Sequence, residues 1–396
     1  SSFVAEQQKA IFDDNTTYNQ AFHKLYDASK PHQSAWSQMQ STYDELVEQQ
    51  HVNETAAARV VGLVIETRPD TITPENLRMF RQLGCTKIQI GIQSTRQEIL
   101  DVNKRQMPVA QIKRAFSLIR LYGFKIHSHL MVNLLGATPE ADKQDFKTFV
   151  TDPGFLPDEI KLYPCALVSG TQLVQKYREG AWQPYAKDEL VDVLVQDVLN
   201  TPPYVRISRM IRDISATDIL VGNKHTNLRQ MVEQELATED VASRVQEIRF
   251  REINQQQVRA AELTLQDVTY TTAVSVEHFL QWVTADNKIA GFCRLSLPHW
   301  DKLTSGACDV SADELLVQPG QAMIRELHVY GQALSLGSEG MSAQHQGLGQ
   351  KLLAKASSIA AEAGYTSLNV ISSIGTRAYC RAQGFPDTGL SQQQCL

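Results

Sequence analysis

The sequence has no apolar run approaching the roughly 18 residues that a membrane-spanning helix needs, so no membrane span is expected. It also has no basic-then-apolar leader: the opening stretch, SSFVAEQQKAIFDD, carries neither feature, and secretion is not expected. Close cysteine pairs are missing too. The six cysteines, Cys85, Cys165, Cys293, Cys308, Cys380 and Cys395, are scattered. That spacing argues against a disulfide framework and a C-x-x-C metal knuckle, and it fits a reducing, cytoplasmic setting. Nor is there an excess of positive charge: with a formal net charge of -6, contact with nucleic acid needs a local basic patch. No internal repeat or low-complexity tract is present. What remains is a chain of 396 residues, long enough for two or three domains.

Residues 1–58 read as helical, with apolar residues recurring at three and four in AWSQMQSTYDELVEQQ. From residue 60 the texture changes to short β-rich runs, VVGLVIET, KIQIGIQS, KIHSHLMVNL, EIKLYPCAL and YVRISRM, separated by helical stretches. One of these, TPENLRMFRQLG, has Thr73 to cap it and Pro74 for its first turn. Strand and helix in repeated alternation predict parallel β/α units. Polar residues gather at the downstream strand ends (Glu66 and Arg68, Gln93 and Ser94, Asn133, Lys161), where barrels of this kind carry function. Between 201 and 260 lie Arg206, Arg209, Arg212, Lys224, His225, Arg229, Arg244, Arg249 and Arg251, interrupted by Glu233, Glu235, Glu239 and Asp240. This is a basic patch only if folding segregates the signs.

After residue 262 strands dominate: SVEHFLQWV and IAGFCRLSL joined by a turn at TADNK, then AMIRELHVYG, a helix GQKLLAKASSIAAEAG, the strand SLNVISS, a helix through TRAYCRAQG, and a short tail. The helix opens with QHQGLG. Glycines there let a backbone approach a ligand, and first-turn N–H groups with the helix dipole behind them suit a pyrophosphate. The spacing matches neither the dinucleotide G-x-G-x-x-G nor the P-loop pattern.

Strand, Q-x-x-G-x-G and the following strand and helix resemble the acetyl-CoA core of the GCN5-related N-acetyltransferase (GNAT) superfamily. The blocks IETRPD, CTKIQIGIQS, KLYP, NLR, IRFRE, RELHVYG, QHQGLG and GTRAYCRAQGF, in this order, resemble the catalytic subunit of the Elongator complex and its single-subunit bacterial and archaeal relatives. The resemblance runs from about residue 60 to the end. It implies an α/β fold: a partial (β/α) barrel of radical S-adenosylmethionine (radical SAM) type, then a GNAT domain. The expected layout is 1–200 for a barrel lacking its cluster loop, 201–262 for a basic connecting segment and 263–396 for the acetyltransferase domain.

The resemblance further implies modification of carbon 5 of the tRNA wobble uridine with a carboxymethyl-type group taken from acetyl-CoA. The expected cofactor contacts are Leu327, His328, Val329, Gln344, His345, Gln346, Gly347, Leu348, Gly349, Gln350 and Tyr379, with Glu66, Gln93 and Lys161 at the barrel mouth. Tyr379 matches the tyrosine that protonates the departing thiolate, and a phenol with a reference pKa of about 10 is a reasonable donor. Glu326 or His328 is the candidate to activate a water or the acetyl methyl. The anticodon stem-loop would meet Arg206, Arg209, Arg212, Arg229, Arg249 and Arg251, with the flipped uridine entering near Lys161 and Gln93.

Two departures from the family stand out. S-adenosylmethionine and a [4Fe–4S] cluster are expected for it, yet no three cysteines here lie close enough to hold a cluster, so the chain is expected to be cut short upstream or to have lost the site. Relatives often carry zinc-binding cysteines before the R-x-R-E block. Here His225 has no thiolate nearby, and packing by Val245 and Phe250 instead of zinc is expected. Two other readings stay open: a protein lysine acetyltransferase, and a non-catalytic tRNA-binding or scaffolding module. Partners would be tRNA and either a second copy in a homodimer or Elongator-type subunits.

Overall fold

The computed structural model describes residues 6, 9, 10, 13, 15, 20, 41–211, 219–223, 227–254, 258–330 and 347–396. The chain divides into two compact units, Ser1–Arg59 and Val60–Leu396. In the first, helix α1 (Tyr43–Thr55) begins at a reciprocal cap. Thr42 Oγ1 accepts from the Glu45 N–H at 3.2 Å, and the Glu45 carboxylate accepts from the Thr42 N–H at 2.7 Å. The helix read from the run at 35–50 is present over its described part; residues 35–40 of that run lie outside the described residues.

The second unit is built on two sheets. Strands β1 (Val64–Thr67), β2 (Lys87–Gln93), β3 (Lys125–Val132), β4 (Glu159–Pro164) and β6 (Arg206–Arg209) form a parallel sheet in chain order, on the runs expected from sequence. Two short strands, β5 (Leu167–Val168) and β7 (Ile219–Val221), make a separate antiparallel pair. Helices α2 (Pro74–Gln82), α3 (Val109–Leu121), α4 (Pro139–Thr151) and α5 (Lys187–Asn200) connect the parallel strands. Thr73 caps α2 by accepting from the Asn76 N–H, with Pro74 in the first turn.

The two faces of this sheet differ because the strands alternate. Ile88, Ile90, Ile92, Ile126, Leu130, Ile160 and Leu162 are buried in the core with Phe116, Phe146 and Phe149 of the helices. The intervening positions are polar: Gln89 stands beside His127 and His127 beside Glu159. A parallel sheet covered on both faces reads as a continuous apolar run. Polar residues at every second position mark a face reserved for something else.

In the segment that joins the sheets, helices α6 (Leu228–Glu235) and α7 (Ile248–Arg251) bury Leu228, Val232 and Ile248, with Val245 buried in the stretch between them and Phe250 partly buried. His225 lies outside the described residues.

The second sheet has seven strands: β8 (Thr264–Thr271), β9 (Ser275–Val283), β10 (Ile289–Pro298), β11 (Gln321–Val329), β12 (Ser367–Val370), β13 (Asp387–Thr388) and β14 (Ser391–Cys395), ordered β13-β14-β12-β11-β10-β9-β8. Pairing is antiparallel except between β11 and β12. Helix α8 (Leu348–Glu362) covers one face, where Leu352, Ala356 and Ala360 pack on Leu280, Cys293, Leu295 and Ile324. Its alanines allow the backbone to lie close to the sheet. Helix α9 (Arg377–Ala382) follows β12. The tail, read from sequence only as short, is the hairpin β13–β14, and β14 pairs with β12.

Candidate active site

Strand β11 is paired with β12 only over Gln321–Ile324, because β12 ends at Val370. Beyond that point, along Arg325–His328, its edge on the β12 side has no ladder partner among the described residues. Its other edge stays paired with β10 through a bulge at Arg294/Leu295, where Glu326 pairs with Arg294 and Ile324 with Leu295. The extra residue, Arg325, is what a bulge supplies: a re-aimed side chain and a local splay. The open edge offers main-chain N–H and C=O groups to an extended ligand.

Two cavities run along this slot. One, of about 390 Å³, is lined by Leu327, Val329, Gly347, Gly349, Gln350, Tyr379 and Gln383. Gly347 caps α8 in a left-handed conformation, φ 68°, which glycine adopts without strain. The first backbone bond of α8 joins the Lys351 N–H to the Gly347 carbonyl, so the amides before Lys351 face outward as in an anion cradle. A Cβ at residue 349 would come within 2.8 Å of the Tyr379 hydroxyl, so only glycine leaves the phenol its place. Leu348 itself is buried among Ile253, Val258, Leu263 and Ala290, and contributes its amide rather than its side chain. Gln344, His345 and Gln346 lie outside the described residues.

The second cavity, about 420 Å³, shares Leu327 and Tyr379 with the first and adds Lys87, Lys125, Glu326, Ser373 and Thr376. Tyr379 thus stands between them. Burial raises its phenol above the ordinary value, which keeps it protonated. The wall toward the parallel sheet is ionic. Lys125 Nζ donates to Glu326 at 2.5 Å and contacts Glu159 at 2.7 Å; Lys87 Nζ donates to Glu159 at 3.0 Å; Arg294 Nε donates to Glu326 at 2.8 Å. Burial alone would raise the Glu326 carboxyl, but the charges of Lys125 and Arg294 outweigh it and hold the group below the usual carboxylate range.

That geometry corrects two expectations. Both Glu326 oxygens are engaged by cations, so it positions Lys125 instead of serving as a free base. His328 lines neither cavity; its ring is packed 5.6 Å from Phe292 and 4.4 Å from Tyr330 between centroids.

Behind this wall a second ionic cluster joins the two sheets. Arg325 donates to both oxygens of Asp158, at 2.6 and 2.9 Å, and to Glu277 at 2.7 Å; Arg294 lies 3.4 Å from Asp158 and Arg120 lies 3.5 Å from Glu277. All five side chains are at most 1% exposed.

Within the strands, not at the downstream ends expected for Lys161, Lys161 Nζ donates to Gln89 Oε1 at 2.6 Å, His129 lies 3.2 Å from the same oxygen, and Glu66 lies 3.9 Å from His129. Gln93 ends β2 at φ 73°. Glu66, Gln89, His129 and Lys161 are therefore brought together, whereas Lys87, Lys125 and Glu159 lie at the upstream ends of the same strands.

The arginines sort into different roles. Arg249 is exposed, with Nη1 on the Ser208 carbonyl, and Arg206 is paired with Glu252 at 2.7 Å. Arg229 is held by Glu233 and Glu247, and Arg209 is partly exposed. Arg251, expected at the phosphate surface, is 3% exposed and donates to Gln246, Gln281, Asn287 and Pro203, so it serves the fold. Arg212 lies outside the described residues.

The parallel sheet with a polar face, followed by a mixed seven-stranded sheet, defines the class: an α/β protein of radical SAM type. Models of the Radical SAM superfamily and of the Radical_SAM C-terminal domain match residues 34–148 and 157–238. A tRNA uridine(34) acetyltransferase from Dehalococcoides mccartyi (strain CBDB1) is 38% identical over 86% of this chain and 73% of its own length. Human Elongator complex protein 3 is 30% identical over 87% and 62%. The archaeal Methanocaldococcus infernus Elp3 with an N-terminal deletion (1–46) superposes with a TM-score of 0.79 at 32% identity, covering 88% of this chain and 82% of that one. The chain belongs to the family of tRNA uridine(34) acetyltransferases and Elongator complex protein 3. It spans 73% of the first relative and less than two thirds of the human one.

Of the cofactors this family implies, one fits the residues present. At the barrel mouth Arg105 Nη2 donates to the Gly91 carbonyl at 2.9 Å while its buried Nε has no partner among the described residues, a donor suited to an anionic group such as the carboxylate of S-adenosylmethionine. The cluster does not fit. Among the described residues no cysteines come together in a group that could hold a metal.

Lys87, Gln89, Arg105, Lys125, His127, Glu159 and Arg294 were missed as site residues. For those on strands the signal was present: polar residues at alternate positions of otherwise apolar strands, as in KIQIGIQ and KIHSHLM. For Arg105, in a loop, there was none.

Proposed function

We propose that this chain uses acetyl-CoA to modify carbon 5 of the tRNA wobble uridine, a carboxymethyl-type acyl transfer that depends on bound tRNA. One observation carries the proposal: two contiguous cavities follow the open edge of β11, from the glycine-bearing start of α8, past Tyr379, into a chamber walled by Lys87, Lys125 and Glu326. A helix start at one end suits the CoA pyrophosphate, the stretch Arg325–His328 beyond the end of the β12 ladder suits the amide-bearing pantetheine arm, and a cationic chamber suits a thioester carbonyl.

In this reading residues 263–396 are a GNAT domain, 1–200 a partial barrel and 201–262 a connecting segment offering Arg206, Arg209, Arg212, Arg229 and Arg249 to the anticodon stem-loop. S-adenosylmethionine would be held in this chain by Arg105 at its carboxylate, with Gln93 flanking it. tRNA is the partner, with a second copy or Elongator-type subunits beside it, and the scattered cysteines suit a cytoplasmic setting. A plain lysine acetyltransferase needs a base at the thioester, and Glu326 is already neutralised by two cations. The test is acetyl-CoA hydrolysis with and without tRNA: stimulation of tenfold or more is expected, and equal rates would overturn the coupling.

A further inference from the structure

We propose that Lys87 is a catalytic residue of the acyl chamber, its ammonium polarising the carbonyl of the CoA thioester. The assignment rests on the acetyl-CoA reading above and goes beyond it by naming the group that activates the acyl carbon.

Lys87 opens β2, and its side chain lines the cavity shared with Glu326, Leu327 and Tyr379. The two ionic clusters are one connected set through Arg294. Its cations are Lys87, Lys125, Arg120, Arg294 and Arg325, and its carboxylates are Asp158, Glu159, Glu277 and Glu326. The set therefore carries one more cation than anion. His127, against Glu159, adds no charge at neutral pH because burial lowers its pKa to about 3.

The surplus falls on Lys87. Its side chain is 25% exposed, the most open of the set, against 14% for Lys125 and Glu326 and 7% for Glu159. Lys125 is wedged between two carboxylates, whereas among the described residues Lys87 has the single partner Glu159, which leaves two of its three N–H donors for a ligand. Lys125 and Arg294 fix the carboxylates, Glu159 anchors Lys87, and Lys87 faces the cavity.

The step is hydrolytic. Water adds to the thioester carbon, and the carbonyl π pair moves onto oxygen beside the Lys87 ammonium. Collapse of the adduct breaks the C–S bond. The sulfur takes the Tyr379 hydroxyl proton, and the tyrosine is restored by the proton lost from water, so thioester and water give carboxylic acid and thiol. Donors aimed at developing negative charge in a partly dry site typically contribute about 10²–10³ in rate.

The test compares wild type with Lys87→Met, which keeps the stem and removes the charge, and Lys87→Arg, which keeps a cation. Carbonyl-labelled [1-¹³C]acetyl-CoA is read by isotope-edited infrared spectroscopy, alongside calorimetric affinity and acetate release in the presence of tRNA. In wild type the bound carbonyl stretch moves to lower frequency than that of free thioester. In Lys87→Met the shift is lost and acetate release falls about 100-fold, with affinity within twofold and an unchanged thermal midpoint; Lys87→Arg restores part of the shift. A Lys87→Met protein that binds acetyl-CoA normally and keeps the carbonyl shift overturns the assignment alone. A wild-type chain that binds no acetyl-CoA overturns the acetyl-CoA reading and this assignment together.

Discussion

Two ionic clusters share neighbouring residues yet do different work. Asp158 and Arg325 belong to the seam between the sheets; Glu159 and Glu326, one residue further along the chain in each case, belong to the chamber wall. In the seam, Arg325 is enclosed, with donors to both oxygens of Asp158, to Glu277 and to the Phe124 carbonyl. In the wall, Lys87 is only partly engaged and faces a cavity. Taking a charge out of water costs several kcal/mol, which only good geometry and further hydrogen bonds offset. A closed cluster holds parts together, and an incompletely satisfied one beside open space is where a ligand's charge can be met.

The largest expected effect breaks the seam. Arg325→Met leaves Asp158 and Glu277 buried with less compensation and is expected to cost about 3–5 kcal/mol, read as a fall in the urea midpoint. An unchanged midpoint would show that the seam carries no such burden. Lys87→Met, in contrast, should leave the midpoint where it is, since Glu159 keeps Lys125.

The smallest effect sharpens the wall. Burial holds the His127 pKa at about 3 against a reference of 6.5, so the native imidazole refuses a proton that the unfolded chain accepts. The stability this contributes is full above pH 6.5 and is lost progressively as the pH falls toward 3. His127→Gln should therefore lose stability less steeply than wild type across that window, measured by urea unfolding at each pH. Parallel curves would place the imidazole outside the buried layer.

The strands and most helices were legible because their periodicity is local. Alternating KIQIGIQ and the Thr73–Pro74 cap carry their own instructions. So did the glycine run, since a left-handed Gly347 and a Gly349 crowded by Tyr379 are what such spacing serves. The seam was not legible. Asp158, just before β4, and Glu277 and Arg325, in β9 and β11, are far apart in sequence, and only the placing of two sheets brings them together. Arg251 failed for a related reason: a cation in a charged run reads as surface, while its four internal acceptors are distributed from Pro203 to Asn287. The hairpin ending in SQQQC was hidden by its polarity, because its pairing with β12 is main-chain and carries little apolar signal.

The central claim is that an acyl-CoA lies along the open edge of β11 with its diphosphate at the start of α8. Calorimetric titration of the full chain with a non-hydrolysable acetyl-CoA analogue tests it most directly, with Gly349→Ala as the control that crowds the Tyr379 hydroxyl. Saturable one-to-one binding by wild type, weakened tenfold or more by the alanine at an unchanged thermal midpoint, is the predicted result. Absence of saturable heat, or equal affinity in both proteins, would contradict it.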